Sequence, residues 1–309
     1  MDINLTGYLL TLGCSAAAGI LWVFLSWRRQ AQPNKAAALS GLILVLGTVL
    51  GILCARLAWM LIRINALRLP QDLLTLRYDR MSFLGGAAGV ILVVFLSAKI
   101  TGQPAKQVLN AFAPMGALLM AGARFAEGFL GTYGVGFVEE WYESGVFFPV
   151  TIGIAWDEYN YEYYLAVFMF SGIFCLIASA LSLVHRKEDN RLVRTLFYIC
   201  LPQVLLESLR LEILSWLFVN VEQLACFLFC EGVLVVRAVR AGAGKLRSWI
   251  PAIGGLLVCG IVIAGMFALD GKITFGGSFI PKAVTYGVMA LALAGMAVAE
   301  HISNKHIAK

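Results

Sequence analysis

Nine apolar runs punctuate the chain, each near the ~20 residues a helix needs to cross a bilayer at ~1.5 Å of rise per residue. They fall at roughly 6–26, 38–62, 82–98, 108–125, 163–184, 195–218, 222–239, 249–269 and 282–300. In hydrocarbon the backbone must satisfy its own N–H and C=O groups, so runs of this length predict helices. The expected fold class is therefore all-α, a polytopic integral membrane helical bundle. The runs at 82–98 and 108–125 are the shortest and suit helices partly shielded by protein. Composition agrees: 60% of the 309 residues are hydrophobic and only 14% are charged, where soluble domains carry about 25%.

The net charge of +6 would point to nucleic acid in a soluble protein. Here the basic residues sit in short loops between apolar runs, which is how topology signals are distributed, and nucleic acid is excluded as a partner. Arg28, Arg29 and Lys35 follow the first run, Lys99 and Lys106 the third, Arg186, Lys187, Arg191 and Arg194 the fifth, and Arg237, Arg240, Lys245 and Arg247 the seventh. Residues 126–160 hold six acids and no Lys or Arg. This asymmetry predicts an N-terminus outside and a C-terminus in the cytoplasm. The opening "MDINLTGYLL" lacks a basic n-region, so the first run reads as a retained span rather than a cleaved leader.

Two outer loops stand out. Residues 63–80 carry Arg63, Arg68, Arg77 and Arg80 against two aspartates, and read either as a solvated loop or as an amphipathic arm holding anionic head groups. Residues 126–160 are rich in aromatics, including Phe129, Tyr133, Trp141 and Trp156, and read either as interfacial anchoring or as a small head over a lipid-side opening. The linker "RAVRAGAGKLRS" (237–248) predicts a membrane domain over 1–240 and an appended transmembrane hairpin with a cytoplasmic tail over 241–309. The seven cysteines lie inside apolar runs with no C-x-x-C pair, and the three histidines have no ligand spacing. No metal and no cofactor is expected.

An ionisable group inside a span costs about 3 kcal/mol or more at the bilayer centre, so position is informative. Arg56 lies towards the outer end of the second run, Arg124 and Glu127 at the outer end of the fourth, and Glu207 and Arg210 in the outer half of the sixth. Glu231 is mid-span in the seventh. Glu207 and Arg210, three apart, would share one helix face and could neutralise each other. Arg56 could snorkel to the surface. Several charges on separate helices at one depth nevertheless predict a polar cavity. Gly85, Gly86 and Gly89 open the third run; they either permit close helix packing or bring backbone N–H groups up to a phosphate.

Several stretches resemble one family. "MSFLGGAAGV" is similar to the M-S-F-H-G-G stretch of bacterial prolipoprotein diacylglyceryl transferase, and "LGTVLGILCARLAWMLI" to its G-A-R-L-Y-Y-V helix. "AGARFAEGFLG" resembles its signature G-R-x-G-N-F-x-N-x-E, "VLLESLRLE" its late R-x-x-x-E-x-x-R-E helix, and "VEQLACFLFCEGVLVV" its final helix. Order and spacing agree over roughly residues 5–240. The resemblance implies seven spans, a cavity open to the outer leaflet, and a multi-pass protein of the bacterial plasma (inner) membrane. It implies transfer of a diacylglyceryl group from phosphatidylglycerol to the lipobox cysteine of a prolipoprotein, with glycerol phosphate released. The partners implied are phosphatidylglycerol, the lipobox segment of the precursor and the membrane itself.

Arg56, Arg124, Glu207, Arg210 and Gln223 fall in positions that match the family, and Tyr8 approximates its N-terminal tyrosine. Leu84 stands where the family has histidine, Glu127 where it has the signature asparagine, Thr132 near the signature glutamate, and Gln203 where a late arginine is expected. Arg124, Glu127, Glu207 and Arg210 are the catalytic candidates; Tyr8, Arg56, Gly85, Gly86, Gln203 and Gln223 are the substrate-binding candidates. A leaving phosphate monoester needs cationic stabilisation, for which planar, bidentate arginine suits. Arg124 is the principal clamp, Arg210 the second and Arg56 structural. Glu127 or Glu207 would take the thiol proton, or Glu127 would only neutralise Arg124. Two other readings stand: a non-catalytic relative that binds anionic phospholipid or lipoprotein precursor, and a transporter.

Overall fold

The computed structural model describes residues 4–28, 33–63, 81–136, 150–155, 161–184, 190–211, 214–216, 219–242, 246–269, 274–275, 278–279 and 281–307. Among them are nine α-helices: α1 Leu5–Arg28, α2 Pro33–Ile62, α3 Phe83–Ile100, α4 Ala105–Glu127, α5 Val167–Val184, α6 Arg191–Leu209, α7 Val221–Arg240, α8 Leu246–Leu269 and α9 Lys282–Ile307. Eight of these are long and apolar enough to cross a membrane. The other, α7, carries Glu222, Glu231, Arg237 and Arg240. The chain is thus an all-helical, polytopic membrane bundle, and its outward surface fits that solvent. Leu10, Val45, Leu61 and Leu291 are each more than 60% exposed.

Among the described residues, three short antiparallel strand pairs decorate the loops: β1 Thr151–Ala155 with β2 Tyr161–Leu165, β3 Ser215–Trp216 with β4 Val219–Asn220, and β5 Thr274–Phe275 with β6 Ser278–Phe279. Two expected boundaries change. The run at 163–184 begins as a strand, and its helix starts at Val167. The run at 195–218 stops being helical at Leu209, because Arg210 adopts an extended backbone and enters a β-bridge with Gly136. Residues 64–80 of the proposed outer arm, and 137–149 and 156–160 of the aromatic loop, lie outside the described residues.

The chain forms two compact units, one of Met1–Leu196 with Leu209–Glu222, the other of Phe197–Ser208 with Gln223–Lys309. In the first, α4 packs against α1, α3 and α5, and α2 lies along α3 and also meets α1. Their shared core includes Trp27 of α1, Leu39 and Ile43 of α2, Val94 of α3 and Phe112 of α4. Lipid gives helices no hydrophobic reason to associate, so close packing of small residues matters most. A Cβ on Gly85 would stand 2.5 Å from Ala58 Cβ and 2.8 Å from the Cys54 carbonyl, which fixes how closely α3 rides on α2. Pro114 interrupts α4 and cannot donate to the carbonyl of Asn110. That carbonyl instead accepts from Arg191 Nη1 at 3.4 Å, while the Asn110 side chain accepts from the amide of Leu192 at 3.0 Å. The break in α4 therefore anchors the start of α6.

In the second unit, α8 and α9 pack as a hairpin. Glu300 of α9 is fully buried; its carboxylate meets Arg237 Nη1 at 2.6 Å and accepts from the Tyr198 hydroxyl at 2.8 Å. Arg237 Nη1 also donates to the Glu300 carbonyl at 3.0 Å. One acid of α9 thus ties down α6 and α7. Gln223 Nε2 adds a bond to the Val204 carbonyl at 2.8 Å.

Two stability tests follow from this packing, both read as the unfolding midpoint of detergent-solubilised protein. Glu300→Ala removes the carboxylate from a buried guanidinium, and we expect a loss of ~3–5 kcal/mol; an unchanged midpoint would show the pair to be unimportant. Gly85→Ala forces α2 and α3 apart and should cost about 1–3 kcal/mol. Gly41→Ala is its control, because nothing stands within 4 Å of that Cβ.

Candidate functional site

The candidate site lies at the C-terminal end of α4, in the first unit. Arg124 is 1% exposed although it belongs to a helix that spans an apolar bundle. Its partners include a carboxylate and an aromatic ring. Its Nη1 donates to Glu127 Oε1 at 2.9 Å, one helical turn on, and its Cζ stands 3.6 Å from the centroid of the Phe83 ring at the start of α3. A desolvated cation over an aromatic face is stabilised by about 2 kcal/mol. Phe83 in turn is placed by Ser82, whose amide donates to the Ala55 carbonyl of α2 at 3.0 Å. Three helices thereby fix one guanidinium.

Arg210 arrives by a different route. After Gly128 caps α4, the chain makes a short 3-10 turn over Gly131–Gly134 and straightens through Val135. Gly136 then donates its amide to the Leu165 carbonyl at 2.7 Å, and Leu211 donates to the Val135 carbonyl at 3.0 Å. Only glycine allows this approach, since a Cβ at 136 would stand 2.5 Å from the Leu209 carbonyl. Held extended (φ −69°, ψ 143°), Arg210 directs Nη2 at Glu127 Oε2. Arg210 therefore lies past the end of α6 rather than on a helix face with Glu207, and it forms an ion pair with Glu127.

Arg124, Glu127 and Arg210 are thus brought together, one carboxylate oxygen facing each arginine. Two cations against one carboxylate leave one net positive charge. Such a cluster can hold an anion with two oxygens available for guanidinium, a carboxylate or a phosphate.

The other candidates are placed less directly. Arg56 is buried on α2 with its Cζ 5.1 Å from the Trp59 ring centroid. Tyr8 is half-buried on α1. Gly85 and Gly86 face α2, with the Gly86 Cβ position 3.5 Å from Ala55 Cβ. The amide of Gly85 donates to Ser82 Oγ at 3.1 Å, and that of Leu84 to Glu222 Oε1 at 3.4 Å. Ser82 Oγ donates to the same Glu222 oxygen at 2.8 Å. A carboxylate of the chain itself therefore sits at the N-terminus of α3, where the helix dipole favours an anion. Gln203, Glu207 and Gln223 belong to the second unit; Gln203 and Glu207 are buried on α6. The side chain of Thr132 lies outside the described residues.

Sequence reasoning missed Phe83, Gly136 and the Ser82–Glu222 pair. Phe83 stands inside the quoted "MSFLGG", yet nothing in one sequence says that an aromatic at 83 lies beneath an arginine at 124. Among the described residues no group of three or more His, Cys, Asp and Glu could hold a metal ion.

The family model described as prolipoprotein diacylglyceryl transferase matches residues 2–238. The match ends before α8 and α9 begin. No curated protein and no solved structure matches the chain. A match across more than half of the chain places it: this protein belongs to the prolipoprotein diacylglyceryl transferase family.

Proposed function

We propose that the chain transfers a diacylglyceryl group from phosphatidylglycerol to the lipobox cysteine of a prolipoprotein. Family membership implies prolipoprotein diacylglyceryl transfer in lipoprotein biogenesis. The choice of phosphatidylglycerol as donor, the membrane concerned and the residue roles are our reading. One observation carries it: two arginines from separate elements converge on the two oxygens of a single carboxylate. Two oxygens of a phosphate would satisfy the same pair of guanidiniums.

The chemistry needs little else from the enzyme at that point. The precursor's sulfur attacks the glycerol carbon that bears the phosphate. The S–C bond forms as the C–O bond breaks, and the electron pair leaves on a phosphate oxygen as glycerol phosphate. That leaving group gains a negative charge, so cations stabilise the transition state more than the ground state. In this reading Arg124 is the principal phosphate ligand and Arg210 the second, while Arg56 is structural. The thiol proton must go to a base. In this reading Glu127 takes it once the phosphate has replaced that carboxylate between the two arginines. Tyr8, Gly85 and Gly86 serve substrate binding in this reading.

A second reading is a non-catalytic relative that binds anionic lipid or precursor. It is favoured by Leu84 in the family's histidine position and by Glu127 already neutralising one arginine.

The test is mass spectrometry of a lipobox peptide incubated with purified protein and phosphatidylglycerol vesicles. A diacylglyceryl mass gain supports transfer; none, with lipid or peptide still bound, supports the second reading. Arg124→Ala should lower transfer by about 10²–10³-fold, the usual consequence of removing one donor to a developing anion. The variant should remain inserted and folded, and full activity in it would remove the assignment of Arg124.

A further inference from the structure

Glu127 stands where the phosphate of the reading above would bind. We propose that it is a built-in counter-ion, which an anionic lipid headgroup must displace from between Arg124 and Arg210. This inference rests on that reading of the site and adds a control on its affinity and selectivity.

The geometry supports displacement of the carboxylate rather than of either arginine. The Arg124 side chain is 1% exposed, that of Arg210 10% and that of Glu127 16%, so the acid is the most exposed of the three. Arg124 is pinned on the face of Phe83. Arg210 is pinned by its backbone, through the bridge to Gly136 and the Leu211 to Val135 bond. Glu127 can swing away by side-chain torsions alone. It occupies the last position of α4, next to the Gly128 cap.

Charge balance points the same way. With Glu127 in place the cluster holds one net positive charge. With Glu127 withdrawn, two cations face the phosphate, which carries one charge in the lipid diester and two in the leaving monoester. The swing therefore matches the site to the charge that develops. It also selects, because a zwitterionic lipid competes poorly against a carboxylate already in place. When a closed state dominates, apparent affinity falls by the fraction of open state, so a carboxylate paired for all but about a tenth of the time weakens binding about tenfold.

The test reads binding, so it stands apart from whether transfer occurs. Full-length protein in detergent is titrated calorimetrically with dioctanoyl phosphatidylglycerol, with dioctanoyl phosphatidylcholine, and with glycerol phosphate. Glu127→Gln and Glu127→Asn should each bind the phosphatidylglycerol about tenfold more tightly than the parent, with a steeper fall in affinity as salt rises. They should also discriminate less against the phosphatidylcholine. Affinity that is unchanged or weaker in both variants overturns the proposal. So does loss of folded protein in both, because the carboxylate would then be structural. Tightening for glycerol phosphate alone overturns the lipid headgroup as the ligand. If the lipobox peptide gains no mass while these variants still bind the lipid more tightly, the transfer reading fails and the counter-ion stands.

Discussion

A guanidinium with almost no exposed surface, inside a bundle that faces lipid, is among the costliest groups described in this protein. Desolvating an ion costs several kcal/mol even after relaxation, and a cation–π contact returns about 2 of them. Phe83 offsets only part of that cost, and Glu127 adds an ion pair to Arg124. The ring contact sets the registration of three helices. Phe83 must open α3 beside the end of α4, and Ser82 must dock on the Ala55 carbonyl of α2 to place it. The glycine contacts between α2 and α3 are part of the same constraint. If Gly85 and Gly89 did not let the helices approach, the ring would not reach the cation.

The second arginine is placed by the failure of a helix. A continuous α6 through residue 218 would have put Arg210 on a helical face with Glu207. Instead α6 ends at Leu209, and Arg210 becomes the partner of Gly136 in a β-bridge. Glycines after α4 make this possible: the chain must turn back beneath the head formed by β1 and β2, then pass closer to the Leu209 carbonyl than any side chain permits. Val135, Tyr164, Ala166 and Phe168 form the apolar floor of that head. The glycine-bearing segment after the paired charge is the device that brings Arg210, just past the end of α6, to the end of α4.

The helices were legible in the sequence because a membrane-spanning run announces itself in about 20 residues of local composition. The pair Arg124–Glu127 was legible for the same reason, lying within one helical turn. What escaped reading depends on contacts across long separations. Ser82 and Glu222 meet although their hydrogen bond spans 140 residues, and Tyr198 reaches Glu300 across 102. Arg191 read only as a topology charge, whereas its guanidinium fills the gap that Pro114 opens in α4. The end of α6 was missed because residues 195–218 stay apolar enough to continue a helix, and only the strand partner at 136 says otherwise.

Both places where the sequence suggested a phosphate are held by the chain's own carboxylates: Glu127 between two arginines, and Glu222 at the N-terminus of α3. A membrane protein gains from this. Two unit charges ~5 Å apart repel by about 3 kcal/mol at an effective dielectric of ~20, so an anion between two buried arginines eases their repulsion. A soluble enzyme can borrow that anion from water, but an apolar bundle must carry its own. The internal acid therefore offsets that repulsion from within the chain.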